Sequence, residues 1–375
     1  MTDKERVNNT LEGKPVDRMP VSVLYSNLYF QDHFVELTGR SPLELLRWLY
    51  SEPVEYLKVY KELIEKVPFE ILEPHSSPPY KVRNNIEFIE KNGKVFSYRK
   101  KEGTFQPVKL SKGHAFESVS NEEQKVFDKE DVKRIKIVKA EELIQNYDYA
   151  RILIQELGST HFIITTGLTG ILWQCHHYLG QTKTLMMLVE NPSLIDYLSN
   201  KLIEQLIEYI KAACSVGGDA IFIDDAMAYS DVISKKHCER FVFPYTKKMV
   251  ETIHHFSHKV ILIYFGGVMD RLDLIAETGA DALACETSMK GYINDICQIA
   301  EAIGSKMALF GNIDPIGILQ NGTDEQMEKE IRRQVEAGRK ARGFIISTGS
   351  PITPYTNILR VQKFIELSRR YGRYK

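Results

Sequence analysis

Four times in the second half of the chain, a short apolar run is followed directly by polar residues and then by a segment with helical spacing. The apolar runs are 220–223, 282–284, 307–310 and 344–346, and a fifth run, 260–264, lies between the first two. Runs of this length are typical of strands buried on both faces, as in parallel sheets. Polar groups at the same end of every parallel strand are typical of an α/β barrel enzyme, whose reactive residues lie at the carboxyl ends of the strands.

The first half of the chain extends this pattern less regularly. Residues 19–25, 69–72 and 162–166 predict three further strands. Residues from about 81 to 110 contain the dipeptide Asn92-Gly93, a strong hairpin signal, and predict an antiparallel insertion. Because this insertion directly follows a strand end, two interpretations stay open: it folds over the barrel mouth, or it is a solvated flap without a role.

The predicted fold class is therefore α/β. We expect residues 1–375 to form one domain, a single (β/α)8 TIM barrel with an N-terminal helical arm and the hairpin insertion. A chain of this length with 43% hydrophobic residues can bury a core of the required size.

Composition excludes several classes of protein. The chain has 49 basic and 50 acidic residues and no basic block that alternates with aromatic residues, so nucleic acid is not an expected partner. Residues 1–9 lack the apolar core of a signal peptide, and no run approaches the roughly 20 apolar residues that span a membrane, which predicts a cytoplasmic protein without a membrane partner. The five cysteines are scattered and never spaced Cys-x-x-Cys, which fits a reducing compartment and excludes a structural zinc knuckle.

Four motifs together resemble those of the uroporphyrinogen decarboxylase (URO-D) superfamily. Gly-Asn-Ile-Asp-Pro at 311–315 resembles its seventh-strand motif, and the segment 13–21 resembles its N-terminal entry. Gly180 with the later Asn-Pro at 191–192, and Thr-Pro-Tyr-Thr-Asn at 353–357, resemble two further family segments. The motifs occur in the family's order along nearly the whole chain. The resemblance is closer to the corrinoid and coenzyme M methyltransferase-like branch than to the true decarboxylases.

The resemblance implies one of two chemistries, and the first is decarboxylation without a cofactor. True decarboxylases bind the carboxylates of a porphyrinogen with an arginine-rich N-terminal stretch, whereas here the region after the first strand has no arginine before Arg40. A substrate with many carboxylates needs cations, because unpaired buried carboxylates are costly. The position that resembles the decarboxylase tyrosine is His176.

The second chemistry that the resemblance implies is methyl transfer with zinc. Family methyltransferases hold zinc with His-x-Cys after strand five and a Cys after strand eight, and these positions resemble Ile263, Phe265 and Ser350 here. All three family ligands are absent, so a zinc ion would need other donors. The candidate metal ligands are Cys285, Glu286 and Asp225, together with a rim histidine.

The leading functional interpretation is a methyltransferase-like enzyme that moves a methyl group between a small methylated compound and a corrinoid protein. Zinc and a corrinoid supplied by the partner protein are left open as cofactors. One alternative is a decarboxylase of porphyrin metabolism, which would need no cofactor. The other is a barrel that binds a tetrapyrrole or a carrier protein without catalysis, and a homodimer is left open in each case.

The candidate catalytic residues follow the predicted strands or lie on a nearby helix. They are Asp224, Asp225, Tyr264, Glu286 and His176. The two aspartates can act as general base or metal ligand, but either can also cap the next helix. Tyr264 can donate to a substrate oxygen or simply pack in the core, and Cys285 is equally consistent with a core position.

The candidate substrate-binding residues are His75, Asn312, Asp314, Thr348 and Ser350. The sequence Asn-x-Asp-Pro also favours a turn, so Asp314 is equally consistent with a structural role in a turn and with a chemical role in the site. If the strand ends share one rim, Asp225, Tyr264, Glu286, Asn312 and Ser350 should surround a single cavity.

Overall fold

A curled, seven-stranded parallel sheet forms the centre of the fold. The computed structural model describes residues 1–108, 125–126 and 128–374. In chain order the strands are β1 (Ile71–Leu72), β2 (Ile86–Lys91), β3 (Lys94–Arg99), β4 (Thr104–Pro107), β5 (Phe162–Thr169), β6 (Ala220–Asp224), β7 (Lys259–Tyr264), β8 (Ala282–Cys285), β9 (Ala308–Phe310) and β10 (Phe344–Ile345). The parallel sheet has the order β1-β5-β6-β7-β8-β9-β10, and β2-β3-β4 form a small antiparallel sheet. The predicted α/β class is confirmed.

Helices connect the strands of the parallel sheet and cover its outer face. They are α1 (Asp3–Glu12), α2 (Ser26–Asp32), α3 (Phe34–Thr38), α4 (Pro42–Leu49), α5 (Pro53–Lys66), α6 (Tyr80–Arg83), α7 (Lys129–Lys133), α8 (Ala140–Leu143), α9 (Asp148–Leu157), α10 (Ile171–Leu179), α11 (Gln181–Glu190), α12 (Pro192–Ser215), α13 (Lys235–Phe241), α14 (Phe243–His255), α15 (Leu272–Glu277), α16 (Ile296–Ile303), α17 (Asp324–Gly338) and α18 (Ile358–Tyr371). Short 3₁₀ helices span Ile144–Tyr147 and Met269–Arg271, and a π-helix spans Pro315–Gln320. None of the described helices is long and apolar enough to cross a membrane.

Side chains of the parallel strands alternate between two separate cores. The inner core includes Ile71, Phe162, Ile164, Ala220, Phe222, Ile261, Ile263, Ala282, Ala284, Ala308, Phe310 and Ile345. The residues between them, such as Ile221, Leu262 and Leu283, belong to the larger core that the helices share. Successive side chains of a strand point to opposite faces of the sheet. The parity of a residue, meaning whether its position along the strand is odd or even, therefore decides which core it joins.

The N-terminal arm closes one end of the inner core. Val7 and Leu11 of α1 are fully buried and pack with the inner-core residues. The next segment lies between the two edges of the sheet. Its Ser22 N–H donates to the Ile346 carbonyl at 3.1 Å, and its Val21 carbonyl accepts from the Glu70 N–H at 3.2 Å. The predicted strand 19–25 is therefore limited to a parallel bridge between Val21 and Ile346.

The predicted hairpin insertion is present as β2-β3-β4. Asn92 and Gly93 both have positive φ angles, 52° and 70°, as expected of the tight turn that this dipeptide favours. Phe88 of β2 is buried and its ring lies 5.1 Å from that of Tyr50, just after α4. The predicted insertion extends to residue 110, and residues 109–110 lie outside the described residues.

Candidate functional site

Two adjoining cavities lie at the carboxyl ends of the parallel strands. The first cavity, of about 240 Å³, is lined by residues within β5 and β6 and by residues that follow β1, including Asp224 and Glu73. The second cavity, of about 470 Å³, is lined by residues that follow β6, β7 and β8, including Phe265 and Glu286. Both cavities share Tyr25, Leu28 and Asp224 as wall residues. None of the described hairpin residues lines either cavity.

Tyr25 and two buried carboxyl groups form the wall of the first cavity. Tyr25 has a positive φ of 60° directly before α2, and its hydroxyl donates to Asp224 Oδ2. The Ser26 N–H donates to Glu73 Oε2 at 3.1 Å, and Glu73 is only 3% exposed. Within the described part of the chain, Glu73 Oε1 and Asp224 Oδ1 are buried without a hydrogen-bond partner. Each carboxyl group therefore has one oxygen left for a ligand or a water molecule.

Burial separates the protonation states of these two carboxyl groups. Burial raises the pKa of Glu73 to about 8. The backbone hydrogen bonds to its carboxyl group lower the pKa but offset only part of this rise. Burial also raises the pKa of Asp224 to about 6, and the hydrogen bond from Tyr25 opposes that rise. At pH 7 Glu73 is therefore mostly a protonated acid, while Asp224 is mostly ionised. Two carboxyl groups with different protonation states on one wall are the usual basis of acid and base roles.

Three hydrogen-bond donors fix the carboxylate of Glu286 in the wall of the second cavity. The Gly266 N–H donates to Oε2 at 2.9 Å and the Ser350 hydroxyl donates to Oε1 at 3.0 Å. The Tyr292 hydroxyl also donates to Oε2. Gly266 has a φ of 105°, and a Cβ there would lie 2.4 Å from the Tyr229 ring, so only glycine allows this backbone approach.

The rest of the second cavity is aromatic and apolar. Its wall includes Trp173, Tyr229 and Phe265 in addition to Tyr25. The Tyr25 ring is held in place by aromatic contacts, with ring centroids 6.0 Å from Phe265. No lysine, arginine or histidine is among the described residues that line either cavity. The two cavities thus combine carboxyl groups with aromatic faces and lack a basic side chain in the described wall.

Comparison with known proteins places the chain in a family. The model of the family "Uroporphyrinogen decarboxylase (URO-D)" matches residues 116–371. The chain belongs to the URO-D family. The superfamily membership predicted from the four motifs is therefore confirmed.

Relatives of the chain include both a methyltransferase and a decarboxylase. It is 27% identical over 182 residues to the methylcobamide:CoM methyltransferase MtbA of Methanosarcina mazei, covering 48% of this chain and 49% of that protein. It is 26% identical over 216 residues to the uroporphyrinogen decarboxylase of Tolumonas auensis, covering 55% of this chain and 58% of that protein. The chain thus spans about half the length of the curated relatives it matches.

A solved structure resembles the fold over its full extent. A methyltransferase from Methanosarcina mazei superposes with a TM-score of 0.69 at 18% identity, covering 99% of this chain and 98% of that one. At this identity the likeness establishes a shared fold alone.

The structure brings four of the predicted site residues together. Asp224, Glu286, Asp314 and Ser350 all line the second cavity. Asp314 also begins the π-helix, because its Oδ1 accepts from the Ile316 and Gly317 N–H groups at 2.8 and 2.9 Å. The turn role and the cavity position that the sequence left open for Asp314 therefore occur together.

Asp225, Tyr264 and Cys285 lie on the opposite face of the sheet, so the prediction of one shared cavity is wrong for Asp225 and Tyr264. Asp225 directly follows β6, and Tyr264 and Cys285 are the last residues of β7 and β8. The side chain of each points away from the cavities toward the helices, and each residue is at most 3% exposed. Asp225 Oδ2 accepts from the Thr246 hydroxyl of α14 at 2.9 Å. Burial raises the pKa of the Cys285 thiol to about 12, which keeps it protonated.

The predicted metal triad does not form. Among the described residues no group of three His, Cys, Asp or Glu side chains is close enough to hold a metal ion. Glu286 faces the cavity, whereas Cys285 and Asp225 point to the helices. The positions implied by the URO-D resemblance do not fit zinc either, because Ile263 and Phe265 have no donor atom and the hydroxyl of Ser350 is bonded to Glu286.

Asn312 and Thr348 hydrogen-bond to backbone carbonyls next to the second cavity. The prediction of one shared cavity is therefore also wrong for Asn312. Its side-chain N–H groups donate to the carbonyls of Asn294 at 2.8 Å and Glu286 at 3.3 Å. The Thr348 hydroxyl donates to the carbonyl of Ser350 at 2.8 Å. Both residues thus position the backbone that carries Glu286 and Ser350, and neither lines either of the two cavities described above.

Neither predicted histidine lines either of these two cavities. His75 Nδ1 lies 3.1 Å from the Tyr56 hydroxyl, and burial lowers the pKa of its ring to about 4, so the ring is neutral. His176 on α10 is 4% exposed, and its ring lies 4.9 Å from that of Trp173. Neither residue lines these two cavities, so no direct contact supports the substrate-binding role predicted for His75 or the catalytic role predicted for His176.

Sequence reasoning missed Glu73 and Tyr25. Glu73 directly follows β1 and is the same kind of strand-end carboxylate as Asp224 and Glu286. A signal was therefore present, but β1 has only two residues and its parity could not be established from so short a run. Tyr25 had no such signal, because its partner Asp224 lies 199 residues away in sequence.

Replacing Asp225 with Asn is expected to raise the melting temperature at pH 8 by several degrees and to change it little at pH 4. Burial raises the pKa of Asp225 to about 7, so the folded state holds this proton more tightly than the unfolded chain, where the pKa is about 3.9. The stabilisation is complete below about pH 4 and is lost as the pH rises to about 7. Asn cannot ionise and still accepts from Thr246.

Thermal unfolding at both pH values measures this effect. Each pKa unit corresponds to about 1.4 kcal/mol, and each kcal/mol shifts the melting temperature by about 2–4 °C in a large domain. Glu239→Gln, at an exposed position of α13, is the matched control and should leave the melting temperature unchanged at both pH values. Equal shifts for Asp225→Asn at pH 4 and pH 8 would contradict the assignment.

Proposed function

We propose that this URO-D family protein moves a methyl group between a small methylated compound and a corrinoid carried by a partner protein. The observation that supports this most is the composition of the cavity walls. Glu73, Asp224, Glu286 and Asp314 line the cavities, and no basic side chain is among the described wall residues. A porphyrinogen with its many carboxylates would be repelled there, because like charges in a poorly solvated site are costly.

We also propose that the sheet closes into the predicted eight-stranded barrel. The segment around Val21 supplies the eighth strand in this arrangement, since it hydrogen-bonds to Ile346 after β10 on one side and to Glu70 before β1 on the other. Closure would bring Tyr25 from the end of this segment to the same rim as Glu73 and Asp224. The Tyr25–Asp224 hydrogen bond supports that placement.

The side chains of this protein would bind the substrate and control one proton. The bond between the methyl carbon and the substrate's heteroatom breaks, and its electron pair stays on the heteroatom. Glu73, protonated at neutral pH, gives its proton to that atom and is reprotonated from solvent. The corrinoid of the partner protein would supply the nucleophile that takes the methyl group.

The rim of the second cavity offers a surface for such a partner. Met289 and Ile316 line the cavity and are also 52% and 51% exposed. Exposed apolar side chains at a cavity mouth are typical of surfaces that another molecule covers. This placement would let a bulky methyl carrier reach the substrate from outside the barrel.

The test is methyl transfer to cob(I)alamin in the presence of purified protein. We expect loss of the cob(I)alamin absorbance and formation of methylcobalamin with at least one small methylated compound, and no release of carbon dioxide from a porphyrinogen. Carbon dioxide release without methyl transfer would contradict the proposal and favour the decarboxylase alternative. Failure of both reactions with a broad panel of compounds would favour the non-catalytic alternative.

A further inference from the structure

We infer that the second cavity binds its methylated substrate as a quaternary ammonium cation, held between aromatic faces and carboxylates. Binding of the cation depends on the cavity itself. The inference rests on the proposed function only for the methyl transfer that follows binding.

The first support is the aromatic wall. Trp173, Tyr229, Phe265 and Tyr25 all line one cavity of about 470 Å³. The face of an aromatic ring is electron-rich and attracts a cation that has been stripped of water, and recognition of quaternary ammonium groups is the best-known use of this attraction. A neutral methyl ether of the same size would gain only the contact of its apolar surface.

The second support is the charge of the wall. Asp224, Glu286 and Asp314 contribute carboxyl groups, and the described wall contains no lysine, arginine or histidine. Asp314 is already satisfied by two backbone N–H groups, and Glu286 by three donors. These bonds fix the carboxylates in place but leave their negative charge without a cation in the described wall. A cationic ligand would compensate this charge, whereas an anion would add to it.

The third support comes from oxygen atoms that have no partner. Asp224, shared by both cavities, has a buried Oδ1 without a hydrogen bond within the described residues. Glu73 in the adjoining cavity is 3% exposed and its Oε1 is likewise without a partner. Buried carboxyl oxygens of this kind normally have a ligand or water. Asp224 lies on the border of the two cavities, in the wall of the space that a cation would occupy.

The chemistry that follows balances for this substrate. The bond between nitrogen and one methyl carbon breaks, the electron pair stays on nitrogen, and the methyl group passes to the corrinoid of the partner. The product is a neutral tertiary amine. This amine leaves without a proton, so an ammonium substrate does not need the acid of Glu73.

The decisive experiment compares two ligands that differ in charge and hardly in shape. Choline and its neutral isostere 3,3-dimethyl-1-butanol are titrated into the full-length wild-type protein by calorimetry. We expect choline to bind at least ten-fold more tightly. Equal affinity for the two, or no binding of choline and of tetramethylammonium, would overturn the inference.

A variant tests the aromatic wall by the same measurement. Trp173→Leu should weaken choline binding at least ten-fold and change binding of the neutral isostere much less. Phe256→Leu, which replaces an exposed aromatic residue after α14, is the matched control and should leave both affinities unchanged. A Trp173→Leu protein that melts like wild type and binds choline with unchanged affinity would overturn the role of the ring.

Failure of this inference is distinguishable from failure of the proposed function. Methyl transfer from a neutral methyl ether, in a protein that binds no ammonium cation, would overturn the inference and leave the proposed function standing. Selective choline binding without methyl transfer from any compound, charged or neutral, would support the cation site and contradict the proposed function.

Discussion

Replacing Glu73 with Gln is expected to lower the rate of methyl transfer from a neutral methyl ether by about 100-fold or more, which is the usual contribution of a general acid. Gln has nearly the same shape and can still accept from the Ser26 N–H, which now donates to Glu73 at 3.1 Å. It cannot release a proton to the departing heteroatom. The change therefore removes the acid and keeps the local structure.

The pH dependence of the wild-type protein provides an independent measurement. Burial raises the pKa of Glu73 to about 8, and the protonated form is the active one, so kcat/KM should fall as the pH rises through about 8. The quantity kcat/KM is the appropriate one because it reports the free enzyme. In Glu73→Gln the residual rate should not show this fall.

A matched variant separates this effect from a general loss of structure. Glu239→Gln makes the same chemical change at an exposed position of α13 and should leave both the rate and the pH profile unchanged. The melting temperature of Glu73→Gln should stay close to that of wild type at pH 7, where Glu73 is already mostly neutral. A Glu73→Gln protein that is fully active at pH 7 would exclude Glu73 as the acid.

The sequence could predict the sheet but not the face that each polar residue occupies. The apolar runs before Asp224 and Glu286 were recognisable because both runs form buried strands of a parallel sheet. Asp224 and Asp225 are chemically equivalent in the sequence, yet only Asp224 reaches the cavities. One step along a strand reverses the direction of a side chain, so the distinction depends on parity within the folded sheet.

Parity also explains why the metal interpretation failed. Cys285 and Glu286 are neighbours in sequence, and together they offer a soft and a hard ligand for a metal ion. In the structure Cys285 belongs to the core that is shared with the helices, whereas Glu286 faces the cavity. Adjacent residues at a strand end diverge, so they seldom share one small ligand.

Contacts between distant segments were the least predictable part of the site. The hydroxyl of Tyr25 bonds to Asp224, and Ser350 bonds to Glu286 across 64 positions of sequence. No local pattern encodes these pairs, because they depend on the order and curvature of the strands. The hairpin was predictable from Asn92-Gly93, since its turn is set by two adjacent residues, but its distance from the cavities was not.

Replacing Glu286 with Gln is expected to raise the KM for an ammonium substrate by at least about ten-fold, which corresponds to about 1.4 kcal/mol. The structure tolerates this change. An amide oxygen at the Oε2 position can still accept from the Gly266 N–H, and the amide nitrogen can donate to the hydroxyl oxygen of Ser350. The substitution therefore removes a negative charge and little else.

The value of kcat should stay the same or rise in Glu286→Gln, which distinguishes this residue from Glu73. The positive charge on the substrate nitrogen disappears as the bond to the methyl carbon breaks. A fixed carboxylate consequently stabilises the bound cation more than the transition state, so its loss weakens binding without slowing the chemical step. With a neutral methyl ether as substrate, loss of the acid at Glu73 should have the opposite pattern, a lower kcat with less change in KM.

Ser350→Ala is the matched control for Glu286→Gln. It removes one of the three hydrogen bonds to Glu286 but leaves the charge, so KM should rise by less than about three-fold. Steady-state kinetics with an ammonium substrate and cob(I)alamin measure both variants beside the wild-type protein. A Glu286→Gln protein with an unchanged KM and an unchanged kcat would show that its charge does not act on the substrate. A fall in kcat with an unchanged KM would instead place Glu286 in the chemical step, where the negative charge would have to stabilise the transition state more than the bound cation.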